Sequence, residues 1–279
     1  MTTMPTVRPT RDIRKALREA AAALTREEAR YLVDAYYQMQ KSRIETTNRM
    51  SAAERGDDPP MDVLSWLGGQ LAILENEVKG QLQAFAAAVP VGEWSMSICG
   101  IGPVISAGLL AHIDIEEAPT VGHIWAFAGL DPTRKWERGQ KRPHNARLKT
   151  LCWKIGESFV KVSANEKDIY GQVYLQRKVY EQARNEAGEL ADQAAAVLER
   201  HPTHKQAATY KQGRLPDGHI HARAKRYAVK LFLAHWQHVA YESHHGTTPP
   251  KPYVIEHGGH ADFVGPPNWD GSALKVVEA

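Results

Sequence analysis

Apolar residues in the first ninety positions recur at intervals of three and four, the spacing of an amphipathic helix. The segment from Arg11 to Arg55 contains neither Gly nor Pro and is rich in good helix formers. Thr25, with Glu28 three residues later, forms a capping-box pattern, so we predict two helices that divide near Leu24. The second helix carries an apolar stripe interrupted by one arginine: Leu32, Val33, Tyr36, Tyr37, Met39, Arg43, Ile44 and Met50.

A turn at residues 56–60, with two consecutive prolines, separates this segment from a further helix over Met61 to Val89. Gly68 and Gly69 weaken the first part of that helix. Its regular seam predicts an antiparallel helical hairpin or coiled coil over residues 1–90. A face of this kind either closes on its own core or pairs with a second copy, and we expect a homodimer through this arm. The seam consists of Val63, Leu67, Leu71, Leu74, Val78, Leu82 and Phe85.

The remaining sequence also predicts helices, and no alternating pattern indicates a strand. The fold is therefore expected to be all-α, with a compact domain at 91–245 and a flexible, unstructured tail at 246–279. We expect Lys205 to His219 to form a surface loop. In the last helix Ala224, Tyr227, Leu231, Ala234 and Trp236 are predicted to face the core. The predicted helices are Pro103 to His112, Val121 to Gly129, Arg147 to Ser163, Asp168 to Arg184, Leu190 to Leu198 and His221 to Ser243.

The most informative motif is the Gly-Ile-Gly turn at 100–102, which precedes a helix opened by Pro103. Gly100 and Gly102 lack a Cβ, so each can adopt positive φ and let the backbone approach another surface. Free N–H groups at the start of the next helix would then face a phosphate oxygen. This pattern predicts a helix-hairpin-helix in which Gly100, Ile101, Gly102 and Val104 contact DNA through their backbone. The alternative is an ordinary tight turn between helices.

Positive charge is concentrated downstream of this turn. Residues 134–154 contain eight basic residues and one acidic residue, a net charge of +7 in a chain whose total is +3. Such asymmetry favours a polyanionic partner, whereas a solvated basic face without a partner is the alternative. Trp136, His144 and Trp153 lie among the cations, where they would stack on bases or sugars or pack half-buried. The cations predicted to bind phosphate are Arg134, Lys135, Arg138, Lys141, Arg142, Arg147 and Lys149.

Other features narrow the class of protein. The chain has no apolar run of the length that spans a bilayer and no apolar signal core at its start, so we expect a cytoplasmic protein without a membrane partner. Cys99 and Cys152 lack metal-type spacing and are expected to be packed thiols. The histidine pairs at 219 and 221 and at 235 and 238 allow a metal site geometrically, but no Cys or carboxylate completes a set. We therefore assign no metal, cofactor or catalytic residue.

Three motifs in this order resemble the bridge-RNA-guided insertion-sequence transposases. Ser97 to Pro103 is similar to that family's Ser-Ile-Pro-Gly-Ile-Gly signature, and Phe127 to Pro132 resembles its Tyr-Ala-Gly-Leu-x-Pro signature. Asn145 to Lys149 resembles the following Gly-Asn-x-x-Leu-Arg helix start, and Leu24 to Ile44 looks like the family's coiled coil. The resemblance, over roughly Thr25 to Glu242, implies a role in DNA transposition or recombination. It also makes structured RNA a second candidate partner beside duplex or branched DNA.

The sequence departs from that family in two ways. The family has a catalytic serine a few residues after its Gly-Leu-x-Pro motif, whereas this chain reads Arg134-Lys135-Trp136-Glu137-Arg138-Gly139 there. Thr133 is the nearest hydroxyl, but it lies directly after Pro132. The family's acidic, metal-binding DEDD domain is expected to be missing, because the sequence begins almost directly with the segment that resembles the coiled coil. Asp57, Asp58, Glu116 and Glu117 read as turn or loop residues, not as metal ligands.

We therefore expect a transposase-like DNA-binding protein that grips the phosphate backbone without a serine nucleophile of its own. Whether the chain is an enzyme stays open at this point. One alternative is an active strand-transfer recombinase that works with a separate DEDD subunit. The other is a helical protein-interaction module that no longer binds nucleic acid.

Overall fold

The computed structural model describes residues 5–56, 62–134, 136–250 and 264–271. These residues form eleven helices and no strand, which confirms the all-α prediction. The helices are α1 Arg11–Ala21, α2 Arg26–Arg55, α3 Asp62–Ala87, α4 Pro90–Ser97, α5 Pro103–His112, α6 Val121–Phe127, α7 Ala146–Val162, α8 Ile169–Glu186, α9 Ala191–Arg200, α10 Ala207–Lys211 and α11 Asp217–His245.

The chain divides into two compact units. Unit 1 comprises Met1–Met96 and Gly102–Asp114, and unit 2 comprises Ser97–Ile101 and Ile115–Ala279. The chain therefore passes from one unit to the other within the Gly-Ile-Gly turn. The domain boundaries predicted at residues 90 and 245 stay a prediction.

Unit 1 is built on the helical hairpin of α2 and α3. Glu75 of α3 pairs with Arg43 of α2, and Gly68, earlier in α3, approaches Thr46, later in α2, so the two helices run antiparallel as predicted. The capping box at the start of α2 is also confirmed: the Thr25 amide donates to Glu28 Oε2 over 2.8 Å, and the Glu28 amide donates to Thr25 Oγ1 over 3.2 Å.

Helix α5 closes the core of unit 1 by packing against both α2 and α3. The hydrophobic cluster is Val33, Tyr36, Leu82, Ala86, Val104 and Ala107. The seam predicted for α3 is thus only partly internal: Leu82 is buried, but Val63, Leu67 and Leu74 are exposed. The reason is that the buried face of α3 is rotated around the helix from the predicted stripe. That buried face includes Glu75.

Unit 2 packs α11 against α6, α7 and α8. Phe159 of α7 stacks on Tyr170 of α8 with ring centroids 4.9 Å apart, and both rings meet Phe232 of α11 edge to face. The inward face predicted for α7 is confirmed, since Leu148, Leu151, Cys152, Ile155 and Phe159 are buried.

The register predicted for α11 was wrong in part. Ala224 and Trp236 are buried as expected, but Tyr227 is exposed and faces away from the core, where the Arg177 guanidinium carbon lies 4.5 Å from its ring centroid. The core positions are instead Ala228, Val229, Phe232, Leu233, Val239 and Ala240, together with the polar His235 and Gln237.

The surface loop predicted for Lys205 to His219 was also wrong. This segment contains α10 and the start of α11, and Tyr210 and Leu215 lie in a small hydrophobic cluster with α9. The predicted tail lies mostly outside the described residues. Its residues 264–271 nevertheless make specific contacts, including a 2.7 Å hydrogen bond from Trp269 Nε1 to Glu242 Oε2.

Candidate nucleic-acid interface

The basic segment of unit 2 joins α6 to α7 and is anchored at both ends. The Leu130 amide donates to Trp125 O, and the Asn145 amide donates to Phe127 O, each over 2.8 Å. Asn145 then caps α7, because its side chain accepts hydrogen bonds from the amides of Arg147 and Leu148. The motif residues Phe127 and Asn145 thus fix where the loop leaves and where α7 begins.

Gly129 lets the end of the loop fold back onto α6. Its φ is +66°, and a Cβ at this position would lie 2.9 Å from His144 Cγ and 3.1 Å from Lys149 Cδ. Any other residue would be strained and would also push these side chains away. Burial lowers the pKa of His144, and the cations Lys149 and Arg142 lower it further. His144 is therefore held near the cations mainly in its neutral form at neutral pH.

All of the predicted phosphate ligands that the structure describes are exposed, and Arg142 and Lys149 also line one cavity. We call this exposed set the basic face: Arg134, Arg138, Lys141, Arg142, Arg147 and Lys149. Lys135 lies outside the described residues. Within the part of the chain that the structure describes, no carboxylate pairs with Arg138, Lys141, Arg142 or Lys149, whereas Arg134 lies 3.8 Å from Asp131.

An open cavity of about 510 Å³ lies between the loop and the first turns of α7. Ala146, Lys149, Thr150 and Trp153 line it at intervals of three and four, so they share one face of α7. The opposite side is formed by the loop residues Trp136, Arg142 and His144.

Gly100 and Ile101 lie away from this cavity, at the other end of α7. Gly100 has φ +87°, its carbonyl accepts a 2.5 Å hydrogen bond from Ser158 Oγ, and a Cβ there would meet Val162, Ser158 and Phe159 at 3.2–3.4 Å. The positive φ expected of Gly100 is thus confirmed, and the close approach it permits is to α7. Ser158 is eleven residues beyond Arg147, which corresponds to roughly 16 Å along the helix.

Two expectations for the Gly-Ile-Gly turn need correction. The amide of Ile101 already donates to Ile98 O over 3.0 Å, and the Ile101 side chain is buried, so this residue is not free to bind phosphate. Gly102 has φ −96° and ψ 175°, an extended conformation open to any residue.

Gly102 and Val104 belong to unit 1, at the start of α5. Pro103 occupies the first turn as predicted, and the amides of Ile105 and Ser106 both bond back to Gly102 O. The Val104 amide precedes these bonds and has no intrahelical acceptor. The space around Gly102 is open, since an added Cβ would have no neighbour within 4 Å, but the Val104 side chain is buried in the unit 1 core.

Sequence reasoning did not predict that two lysines of α11 lie against tryptophans of α6 and α7. Lys225 Nζ lies 5.5 Å from the Trp153 ring centroid and pairs with Glu157, and Lys230 Nζ lies 4.1 Å from the Trp125 ring centroid. Their charge was visible in the sequence, but nothing local indicated that α11 crosses α6 and α7.

The histidine and cysteine residues make other contacts. His235 accepts from Tyr170 OH at Nδ1 and donates from Nε2 to Val264 O, so both ring nitrogens are engaged. Burial raises the pKa of the Cys152 thiol to about 12. No cluster of three or more potential metal ligands occurs in the described ranges, and none of the helices there has the length and apolarity to cross a membrane.

The cap, the glycine turns and the basic face all fall within one stretch of sequence. Residues 92–170 match the transposase IS116/IS110/IS902 family. This match supports an insertion-sequence transposase, a function related to transposition and an interaction with DNA. We call these residues the transposase-family segment; no curated protein and no solved structure matches the chain.

The transposase-family segment contains every residue predicted to contact DNA, from Gly100 to Lys149. The coiled-coil resemblance at Leu24 to Ile44 lies outside it and stays a prediction. Within the segment, the hydroxyl nearest to the expected serine position is engaged by its neighbour, because Thr133 Oγ1 donates to Asp131 Oδ1 over 2.7 Å.

Proposed function

We propose that this protein binds duplex or branched DNA during transposition or recombination and holds it through the phosphate backbone, without a serine nucleophile of its own. The basic face is the observation that carries this proposal. Its exposed cations lie on a loop fixed at both ends and on the first turn of α7, and four of them have no competing carboxylate within the described residues. A surface of this kind binds phosphates largely independently of base sequence.

The start of α5 supplies a second type of phosphate contact in this proposal. The Val104 amide and the open backbone at Gly102 lie at the positive end of the helix dipole. Gly100 contributes by shaping the turn against α7, and Ile101 by anchoring it in the interior. The buried side chains of Ile101 and Val104 serve packing, so any contact from Val104 is made by its backbone.

The proposal is tested by the double variant Lys141→Ala/Arg142→Ala. Binding of a continuous duplex is measured by fluorescence anisotropy over a range of salt concentrations. We expect at least a tenfold loss of affinity at low salt and a log–log salt slope that is shallower by about 2, since each lost phosphate contact removes about 0.9.

The matched control is Lys15→Ala/Lys41→Ala, which removes two exposed cations that pair with Glu19 and Glu45 in unit 1. This control should retain both affinity and slope. Unchanged binding by Lys141→Ala/Arg142→Ala would overturn the assignment of the basic face. A structured RNA hairpin in the same titration tests the second candidate partner.

Denaturing gels of the same mixtures test the absence of a nucleophile. We expect intact strands with Mg²⁺ present, because the position of the family's serine holds no hydroxyl and Thr133 is bonded to Asp131. Strand breaks or a covalent protein–DNA adduct would favour the strand-transfer alternative instead.

The arm is proposed to join two copies of the chain. Val63, Leu67 and Leu74 are exposed and lie within about 40° of one another around α3. Two copies would cover this apolar stripe and bring two basic faces to one DNA.

A further inference from the structure

We infer that the cavity between the loop and α7 is a stacking site for an unpaired nucleobase of DNA. This inference rests on the proposed function and adds to it the kind of DNA that is preferred. It predicts that gapped or branched DNA binds more tightly than a continuous duplex, in which every base is already stacked.

Two tryptophans on the cavity wall carry the inference. Trp136 is 44% exposed and Trp153 is 58% exposed, although Trp is among the residues that gain most from burial. The indole N–H of Trp136 donates to Gln140 O over 2.8 Å, so the polar edge of the ring is satisfied within the loop. The indole N–H therefore needs no partner from a ligand, and the exposed part of the ring borders the cavity.

Cations accompany each ring. Arg142 lies 5.6 Å from the Trp136 ring centroid, and Lys225 Nζ lies 5.5 Å from that of Trp153. A nucleotide has an aromatic base and an anionic phosphate, so a site that combines exposed indoles with cations matches both parts. The wall also presents His144, which is mainly neutral at neutral pH, so it offers a ring without a further charge.

The volume of the cavity is sufficient for a nucleobase. Its volume of about 510 Å³ lies in the range of roughly 300–1,000 Å³ that is typical of small-molecule sites. A stacked duplex offers only backbone and groove edges, whereas an unpaired base can turn out of the strand and enter. The surrounding basic face would hold the flanking phosphates.

The experiment compares three DNAs that share one sequence: a continuous duplex, the same duplex with a three-nucleotide gap, and the single strand of the gap region. Wild-type protein should bind the gapped duplex about tenfold more tightly than the continuous one. Trp153→Ala should abolish this preference but leave the affinity for the continuous duplex and the salt slope unchanged. Trp153→Phe should keep most of the preference.

Trp153 is the better test position, because it is an exposed residue on a helix, where Ala is well tolerated. Tyr31→Ala, which removes an exposed aromatic side chain from unit 1, is the matched control and should change nothing. Equal affinity for the gapped and continuous duplexes, or a preference that survives Trp153→Ala, would overturn the inference. So would tighter binding of a single-stranded RNA of the same sequence.

The two proposals fail in distinguishable ways. If the basic face is wrongly assigned, Lys141→Ala/Arg142→Ala has no effect on the continuous duplex. If only the stacking site is wrongly assigned, that double variant weakens binding to both duplexes while Trp153→Ala changes neither.

Discussion

At the residue scale, His235 shows how one buried polar group ties distant parts of unit 2 together. Its ring is only 3% exposed and contacts Tyr170 on α8 and Val264 in the C-terminal segment. Burial lowers the pKa of His235 to about 4, against a partial opposing effect from its hydrogen bond to Val264. His238 nearby lowers it further. The neutral ring, with the proton on Nε2, satisfies both partners.

This pKa predicts a pH-dependent stability. Between about pH 6.5 and pH 4 the unfolded chain binds a proton that the native His235 resists, so the free energy of unfolding falls as the pH is lowered through this range. From pH 7.5 to pH 5 the loss is expected to be about 2 kcal/mol. Urea unfolding at each pH measures it.

His235→Gln should reduce that pH dependence by about the same amount, whatever its effect at pH 7.5. Other groups, including His219 and His221 with their lowered pKa values, titrate in both proteins and cancel in the comparison. His201→Gln, at an exposed position, should behave as the wild type does. An identical pH profile for His235→Gln would show that His235 is not the responsible group.

Single residues also show where sequence reasoning succeeded. Thr25, Pro103 and Asn145 each lie where a local rule places them, because a cap depends on only the next three or four residues. Gly129 could be recognised as a helix end. The close approach of His144, which is fifteen positions later in the sequence, could not be predicted from local rules.

At the element scale, the α2–α3 hairpin is fixed in register by an ion pair. Arg43 Nε lies 2.6 Å from Glu75 Oε2, and Gln40 and Arg43 both donate to Oε1 over 3.3 Å. Burial raises the pKa of Glu75, but these hydrogen bonds outweigh it and leave the pKa below its ordinary value. Glu75 therefore stays ionised in an almost fully buried position.

Removal of one partner should be costly. Arg43→Ala leaves the Glu75 carboxylate without its cation and is expected to destabilise the protein by about 3 kcal/mol. The double variant Arg43→Met/Glu75→Leu should recover most of that loss, since an apolar pair of similar size carries no desolvation cost. Thermal and urea unfolding measure both.

Lys41→Ala, from the exposed i,i+4 pair with Glu45, is the control and should cost less than about 0.5 kcal/mol. A loss of similar size for Arg43→Ala would mean that the ion pair adds no stability to the hairpin.

The same hairpin shows which parts of an element the sequence could not predict. The existence and approximate ends of the helices follow from local periodicity and from the capping and helix-breaking residues. Which face of a helix points inward depends on partners that are distant in sequence. Glu75 of α3 is buried against Arg43 of α2, and the exposed Tyr227 of α11 contacts Arg177 of α8. Leu215 was read as a loop residue for the same reason, since its apolar neighbours come from α9.

At the scale of the whole molecule, the candidate site was predicted as a set of residues but not as an arrangement. Charge density alone identified the basic face. It suggested one surface shared with the Gly-Ile-Gly turn, whereas Gly100 lies at the far end of α7 from Arg147. The length of α7 sets that separation. Nothing in the sequence between residues 97 and 149 indicates that the turn and the basic face lie at opposite ends of this helix.

The exposed apolar stripe of α3 predicts that two copies of the chain associate. Val63, Leu67 and Leu74 span about 17 Å of helix and stay exposed after α5 has closed the core of unit 1. Exposed apolar area costs roughly 25 cal/mol for each Å², so a second copy that covers this stripe gains from the same hydrophobic effect that forms the core. We therefore expect a dimer at micromolar concentration.

Leu67→Glu/Leu74→Glu should convert that dimer to a monomer in sedimentation and light-scattering measurements. The change should alter the free energy of unfolding of the monomer by less than about 1 kcal/mol, because both positions already face solvent. Val179→Glu places a charge at an exposed apolar position of α8 in unit 2 and should leave the dimer intact. A monomeric wild-type protein, or a dimer that survives the double variant, would show that the arm does not join two copies.

If the dimer forms, its loss should also weaken binding to long DNA more than to short DNA, since only a long duplex reaches both basic faces.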